Sequence, residues 1–436
     1  MVKRFSNLTD AARKTLRAND AGMFIKPGPQ QYPHQWNWDS AIVALGLSHF
    51  DLPRALTEIR SLLGGQWKDG MLPHVVYHHT PSDYFPDPSF WKIEKSQCAP
   101  GVPTSGITQP PLLTTIVRKI HQRKNILDFV REVYPALLAW QRWLFSARDA
   151  DGSGLACIIH PWESGTDDSP RWLNVMENFT PSGSPDFQRG DTRHVSPTER
   201  PFQSDYERFI YLIDLFRRNA YQPSALLERS PFLVQDVLFN SILCRATEDL
   251  RALALELGEP ADELDSRLNK MLEAINQRFY DEQTGLYLDF DLRRSDHIRV
   301  NTAATFMPLF AGAASPQQEL RLVEDHLLNP AEYAPDGLLR YWITSTSRSE
   351  TTWEPRRYWR GPVWINMNWF LAEGLLRYGY KDLAQELIDH SLKLMQLSGF
   401  REYYDPVQGA GCGSEDFSWS AALAIEMEQS INHSKD

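Results

Sequence analysis

Twelve stretches of this chain repeat apolar residues at three- and four-residue spacing, the period of one helical face, and almost none alternates as a strand does. The spacing predicts helices over 40–49, 53–65, 110–123, 135–147, 205–219, 232–257, 262–279, 302–312, 316–328, 363–378, 381–397 and 416–430. An apolar stripe must be buried against a neighbour, so none of these segments stands alone. Some starts are marked. Pro53 and Pro135 are read as first-turn prolines, and Ser315-Pro-Gln-Gln-Glu319 joins a capping serine to an early proline and an acidic first turn. The connectors alternate between a few residues and 20 or more, the long ones being 64–111 and 148–204. Short elements at 149–155, 281–286 and 334–338 read as tight turns entering short extended pairs. Helices in pairs with long loops between alternate members predict an all-α fold, a closed toroid of six helical hairpins. An open solenoid is the alternative, but no fixed period of about 34–47 residues is present. Length alone suggests about three domains. Without a composition break, 1–436 is read as a single domain.

Composition narrows the partners. With 45 Lys and Arg against 56 Asp and Glu, the net charge is −11, and no basic run offers a surface to nucleic acid or an anionic membrane. The longest apolar runs, such as 41–47, fall far short of the ~20 residues that span a bilayer. The first residues are polar, without the apolar core of a signal peptide, so the expected location is cytoplasmic. Cys98, Cys157, Cys244 and Cys412 are too widely spaced for a zinc knuckle or a redox pair and are expected to be free thiols. His74, His78 and His79 form the one local histidine group. No metal-ligand spacing, phosphate loop, dinucleotide turn or nucleophile elbow occurs, so neither metal nor cofactor is expected. The expected partner is a small molecule, and a homo-oligomer is compatible with the sequence.

Four loop segments concentrate aromatic and ionisable residues without helical spacing. Tyr32-Pro-His-Gln-Trp-Asn-Trp-Asp39 precedes the helix expected from residue 40. Asp39 reads either as that helix's N-cap or as a carboxylate accepting sugar hydroxyls beside Trp36 and Trp38. His160-Pro-Trp-Glu-Ser-Gly-Thr-Asp-Asp-Ser-Pro-Arg-Trp172 sets Glu163, Asp167 and Asp168 between two tryptophans, without calcium-loop spacing. Aromatic packing around a carboxyl keeps it protonated near neutral pH, as a general acid requires. Arg357-Tyr-Trp-Arg-Gly-Pro-Val-Trp364 supplies Tyr358, Trp359 and Trp364 as pocket walls and Arg360 as either an ion-pair partner of a buried acid or a pocket residue; Pro362 is expected in the next helix's first turn. Phe400-Arg-Glu-Tyr-Tyr-Asp-Pro-Val-Gln-Gly409, followed by Gly411-Cys-Gly-Ser-Glu-Asp-Phe-Ser-Trp419, brings Glu402 and Asp405. It reads as a surface turn, with Ser414 or Asp416 as a helix cap, or as the second carboxylate of a pair. Inverting glycoside hydrolysis uses two carboxyls about 6.5–9.5 Å apart with a water between.

The Glu163–Trp172, Tyr358–Trp364 and Glu402–Asp405 motifs, with Phe417-Ser-Trp419, resemble glycoside hydrolase family 63 and, more distantly, the trehalases, across residues 31–423. The resemblance implies an (α/α)6 barrel that hydrolyses α-glycosidic bonds with inversion. Carried over motif by motif, it implies Asp167 as general acid, rather than Asp168, and Glu402 as general base. Trp36, Asp39, Trp162, Gly165, Arg360 and Trp364 would line the subsite of the cleaved sugar, with Tyr32 and Trp38 beside them. At this length the chain is most similar to the compact bacterial members, which hydrolyse mannosylglycerate or glucosylglycerate. A carboxylate-bearing leaving group needs a cation and hydroxyl donors, for which Tyr84, Gln109, Arg200, Tyr206, Tyr358 and Trp359 are the candidates. Loops 82–104 and 177–203 are expected to close as lids. A hydrolase of a neutral α-linked disaccharide and a non-catalytic sugar-binding toroid are the alternatives.

Overall fold

The computed structural model describes residues 6–78, 84–183 and 185–433. Six helices form an inner ring: α2 (Asn37–Leu47), α5 (Leu113–Lys124), α10 (Val237–Leu257), α12 (Met307–Ala311), α14 (Ile365–Arg377) and α16 (Ser418–His433). Each packs on the next, and α16 returns to α2, so the ring closes. Six more lie outside it: α1 (Ser6–Ala18), α3 (Leu52–Leu63), α6 (Leu127–Ala147), α11 (Asp262–Phe279), α13 (Pro316–Arg321) and α15 (Lys381–Ser398). This is an (α/α)6 barrel. All eleven residues of α2 are buried, as befits a helix with neighbours on every side. One continuous apolar core runs from Leu8 to Met427.

The expected count of twelve contains two compensating departures. Helix α1 is not among the expected twelve: its buried apolar stripe, Leu8, Ala12 and Leu16, keeps the helical four-residue spacing but is only three side chains in a short polar segment. The segment expected as 205–219 is α8 (Gln203–Arg218), a loop helix outside both rings, as are α4 (Pro88–Trp91), α7 (Leu173–Met176) and α9 (Pro223–Arg229).

Local chemistry explains the shifted boundaries. Asp51 caps α3 by accepting from the Arg54 N–H, and Ser315 with Gln318 makes a reciprocal capping box at α13. Pro135 is not in a first turn. It lies inside α6, because Phe129, Val130, Val133 and Tyr134 before it extend the buried face, and that packing outweighs a cost of about 3 kcal/mol. The helix expected from 232 begins at Val237, capped by Asp236, because Val234–Gln235 is drawn into a sheet. The segment 302–312 divides into a 3-10 turn, Ala303–Phe306, and α12, and 316–328 continues past α13 as a π-helical turn, Leu322–Leu327. Pro362 precedes α14 by three residues.

The strands are two or three residues long. β1 (Gln35–Trp36) pairs with β2 (Val75–Val76), and β3 (Cys157–Ile158), β4 (Val234–Gln235), β7 (Asp289–Asp291) and β8 (Asp296–Ile298) form one antiparallel sheet in that order. β5 (Tyr280–Asp281) and β6 (Leu286–Tyr287) make the hairpin expected at 281–286, and β9 (Tyr403–Tyr404) pairs with β10 (Gly411–Cys412). The 334–338 turn enters no named strand. The inner helices begin at one end of the ring, and there the loops gather.

Candidate active site

The residues flanking the starts of α2, α14 and α16 converge on one cavity, which holds Trp36, Trp38, Asp39, Trp364, Phe417 and Trp419. Asp39 is not a cap: α2 begins at Asn37 with Trp36 at the capping position, so Asp39 falls in the first turn with its carboxyl toward the cavity. Trp38 donates its backbone N–H to Gln109 Oε1 at 3.2 Å, which ties the loop before α5 to the start of α2.

The aromatic walls are braced edge to face and in stacks. Trp359 and Trp364 stack in parallel with ring centres 3.8 Å apart, and Trp364 continues onto Tyr403 at 4.6 Å. On the other side Trp36 stands between Tyr32 and Tyr84, each at 5.2 Å and nearly perpendicular. Trp162 and Tyr206 meet at 6.0 Å. Gly165, at φ +71°, lies so close to Trp38 that a Cβ would come within 2.6 Å of the indole. Only glycine fits between the 160–172 loop and this wall.

Asp167 faces the cavity half-buried, with the Tyr358 hydroxyl 3.5 Å from its Oδ2. Burial, with Asp168 and Glu402 adding to it and Arg200 opposing, pushes its carboxyl up to about 8. It is therefore protonated at neutral pH. Asp168 turns the other way, into a two-point grip from Arg360 at 3.1 and 2.9 Å. Arg360 also reaches Asp205 at 3.3 Å and, among the described residues, is not on the cavity wall. The ion-pair reading of Arg360 is the one its position supports.

Behind Asp167, Glu163 is fully buried and accepts from Arg148 Nη2 at 2.6 Å, the Ile159 N–H at 2.8 Å and the Thr108 N–H at 3.2 Å. It joins the end of α6, the 160–172 loop and the loop carrying Gln109. Arg171 sets a second anchor, bound to Asp289 at 2.9 Å and to the Thr166 hydroxyl at 2.7 Å.

Glu402 stands just before β9, against the turn at Gly413. Its Oε1 accepts from the Tyr32 hydroxyl at 2.7 Å and Arg200 Nη1 at 3.2 Å; its Oε2 accepts from Arg200 Nη2 at 2.7 Å and the Ser414 N–H at 2.9 Å. The Arg200 guanidinium sits 4.8 Å from the Tyr358 ring centre. Asp39 is pushed well above the usual carboxylate range by burial and by Glu402 and Asp167.

Every other residue expected at the site lines this cavity, so the four sequence segments and both long loops meet there. Gln31, His74, Phe85, Asp191, Pro201, Phe417 and Trp419 join them. Phe417 and Trp419 were legible in their motif; Asp191 and Gln31 carry no local signature. His74 is buried beside His160 and its pKa is lowered to about 3, so it is a neutral partner stacked 6.1 Å from Trp162. His79 lies outside the described residues, as do the first two residues of the 82–104 loop and residue 184 of the 177–203 loop. Among the described residues no group of three or more His, Cys, Asp or Glu side chains is arranged to hold a metal.

A protonated carboxyl and a hydrogen-bonded carboxylate, facing one aromatic-walled cavity at the mouth of an (α/α)6 barrel, define a glycoside hydrolase. The chain belongs to the family of mannosylglycerate hydrolase MGH1-like glycoside hydrolase domains, whose model matches residues 32–420. It is 41% identical to a mannosylglycerate hydrolase of Rubrobacter radiotolerans, over 97% of both chains. It is 34% identical to a glucosylglycerate hydrolase of Mycolicibacterium hassiacum, again over 97% of both. The crystal structure of a family 63 mannosylglycerate hydrolase from Thermus thermophilus, in complex with Tris and D-glycerate, superposes with a TM-score of 0.90 at 42% identity, covering 96% of this chain and 99% of that one.

Proposed function

We propose that this chain hydrolyses an α-glycoside of glycerate, glucosylglycerate or mannosylglycerate, to free sugar and glycerate with inversion at the anomeric carbon. The observation that carries the reading is the pairing of a carboxyl held protonated, Asp167, with a carboxylate fixed by four donors, Glu402, on one cavity that also contains Arg200. Asp167 gives its proton to the bridging oxygen as the C1–O bond breaks. Glu402 takes a proton from the water that attacks C1 from the opposite face. The tryptophan faces hold the sugar ring, Asp39 binds its hydroxyls, and Arg200 with the tyrosine hydroxyls receives the glycerate carboxylate. Relatives that act on mannosylglycerate and on glucosylglycerate both cover the full length, so both sugars belong in the assay.

The test is a panel of glucosylglycerate, mannosylglycerate, trehalose and kojibiose, with proton NMR of the first-formed anomer. Turnover of a glycerate glycoside with the β-anomer appearing first is expected; turnover of the neutral disaccharides alone would sink the reading. Asp167→Ala and Glu402→Ala, if still folded, each lose turnover by about 10²–10⁴.

The proposal extends to a single catalytic domain whose loops 82–104 and 177–203 close over the substrate. It rests on Tyr84 and Phe85 from one loop and Asp191 and Arg200 from the other, which already wall the cavity. Four unpaired cysteines accord with a reducing, cytoplasmic setting. No helix among the described residues is long and apolar enough to cross a membrane. Cell fractionation and light scattering test location and homo-oligomerisation.

A further inference from the structure

We propose that Arg200 is a latch on the general base, and that the carboxylate of the substrate itself releases it. The inference rests on the functional reading above and concerns how that site is switched on.

A carboxylate has about four lone-pair positions. In this structure Glu402 has four donors on them: Tyr32 Oη and Arg200 Nη1 on Oε1, Arg200 Nη2 and the Ser414 N–H on Oε2. A general base must accept a proton from water, and Glu402 has no position left for that water. One of the four must yield. The Ser414 N–H is backbone, in a turn so close that a Cβ on Gly413 would sit 2.5 Å from Glu402 Oε2. Tyr32 is wedged between Trp36 and Phe417, at 5.2 and 5.7 Å. Arg200 is the remaining donor, a long side chain reaching in from the 177–203 loop, buried against the Tyr32 and Tyr358 rings and donating from Nη1 to the Tyr32 hydroxyl as well, at 2.9 Å. It is also the one donor an anion can draw away, because a second carboxylate competes for the same planar fork.

Glycerate presents such a group at the leaving side of the scissile bond. When it engages Arg200, the fork turns or shares its bonds, a lone pair of Glu402 opens, and the attacking water takes it. The water then loses its proton to Glu402 as its oxygen bonds to C1, while Asp167 gives its proton to the departing glycerate oxygen. Arg200 stays protonated throughout. A neutral leaving group leaves the latch in place, so selection for the charged substrate is expressed in kcat as well as KM.

The experiment uses α-glucosyl or α-mannosyl fluoride, whichever sugar the panel identifies, because fluoride departs without Asp167 and leaves the glycerate position vacant. D-Glycerate added in trans is expected to raise the fluoride turnover of the wild-type enzyme about tenfold or more, the factor that one charge-assisted hydrogen bond represents. Glycerol is expected to do nothing. Arg200→Met, verified as folded by circular dichroism, is expected to hydrolyse the fluoride faster than wild type without glycerate, to ignore added glycerate, and to lose kcat/KM on the glycerate glycoside. If glycerate leaves the wild-type fluoride rate unchanged or lowers it, or if Arg200→Met is slower on fluoride, Arg200 supports Glu402 and the latch is wrong. Hydrolysis of the glycerate glycoside would still stand in that case. Failure to hydrolyse either glycerate glycoside overturns the functional reading and the latch together.

Discussion

The proposed acid, Asp167, and its neighbour Asp168 are adjacent aspartates with opposite fates. Asp168 spends its charge on Arg360, whereas Asp167 faces the cavity and is held protonated up to about 8. Below that value the acid form is present, so turnover is expected to fall about tenfold per pH unit above it, read from a kcat profile. The same shift acts on stability with a definite sign. The folded state keeps a proton that the unfolded chain releases near pH 4, so this group's contribution is lost as pH rises between the two values. Asp167→Asn is therefore expected to abolish glycoside turnover while unfolding at higher urea than wild type at pH 8. Glu163 behaves otherwise. Removing its carboxylate with Glu163→Ala leaves Arg148 charged and buried at 2% exposure, a loss of about 3–5 kcal/mol measurable by denaturant titration. The segments that hold Asp167, Glu402 and the tryptophans were legible because carboxyls and indoles crowd them without helical spacing, whereas the choice of Asp167 over Asp168, and of Glu402, is what the resemblance to family 63 implies. Arg360 was misplaced because an arginine beside aromatics has one signature for ion pairing and for ligand contact. Only the third dimension shows that Asp168 and Asp205 claim it.

The helices meet closely at chosen points. Gly46 in α2 lies against the backbone of α16, where a Cβ would come within 2.6 Å of Ala422 Cα and 2.9 Å of its carbonyl oxygen. Alanine would favour the helix by roughly 1 kcal/mol. The contact is with main chain that has nowhere to retreat, and overpacking costs about 1–3 kcal/mol. Gly46→Ala is thus expected to lower the Tm, against its propensity. At this scale periodicity located the elements well where a wide apolar face is buried, as in α10 and α15. It failed where a helix is brief or shares its work with a bound strand: α12 is five residues long, and β4 takes the residues that the pattern assigned to the start of α10. Pairings of two residues hold the site segments in place, yet they are too short to leave any alternation in the sequence.

The whole molecule is a ring whose ends are joined by its first and last helices. Residue Asn19 donates from its side chain to the Asp416 carbonyl at 2.7 Å and the Ser418 hydroxyl at 2.9 Å, and the Ser418 N–H donates to the Pro27 carbonyl at 2.7 Å. Deleting residues 1–18 removes Leu8, Ala12 and Leu16 from α16, with about 1.5–3 kcal/mol for each leucine. The truncated chain is expected to bind a hydrophobic dye and melt earlier. The toroid itself was legible from paired helices and unequal loops; the partner of each helix was not, because a stripe of leucines says that it is covered and not by what.

That junction spans 399 positions of sequence. During synthesis the face of α2 that receives α16 must wait for most of the chain to be made, on the order of 20–75 s at 5–20 residues per second. A helix destined to be buried on all sides spends that time without its last neighbour. The interval between the second helix and the sixteenth is where a growing chain of this design is open to aggregation, and where a chaperone would have most to protect.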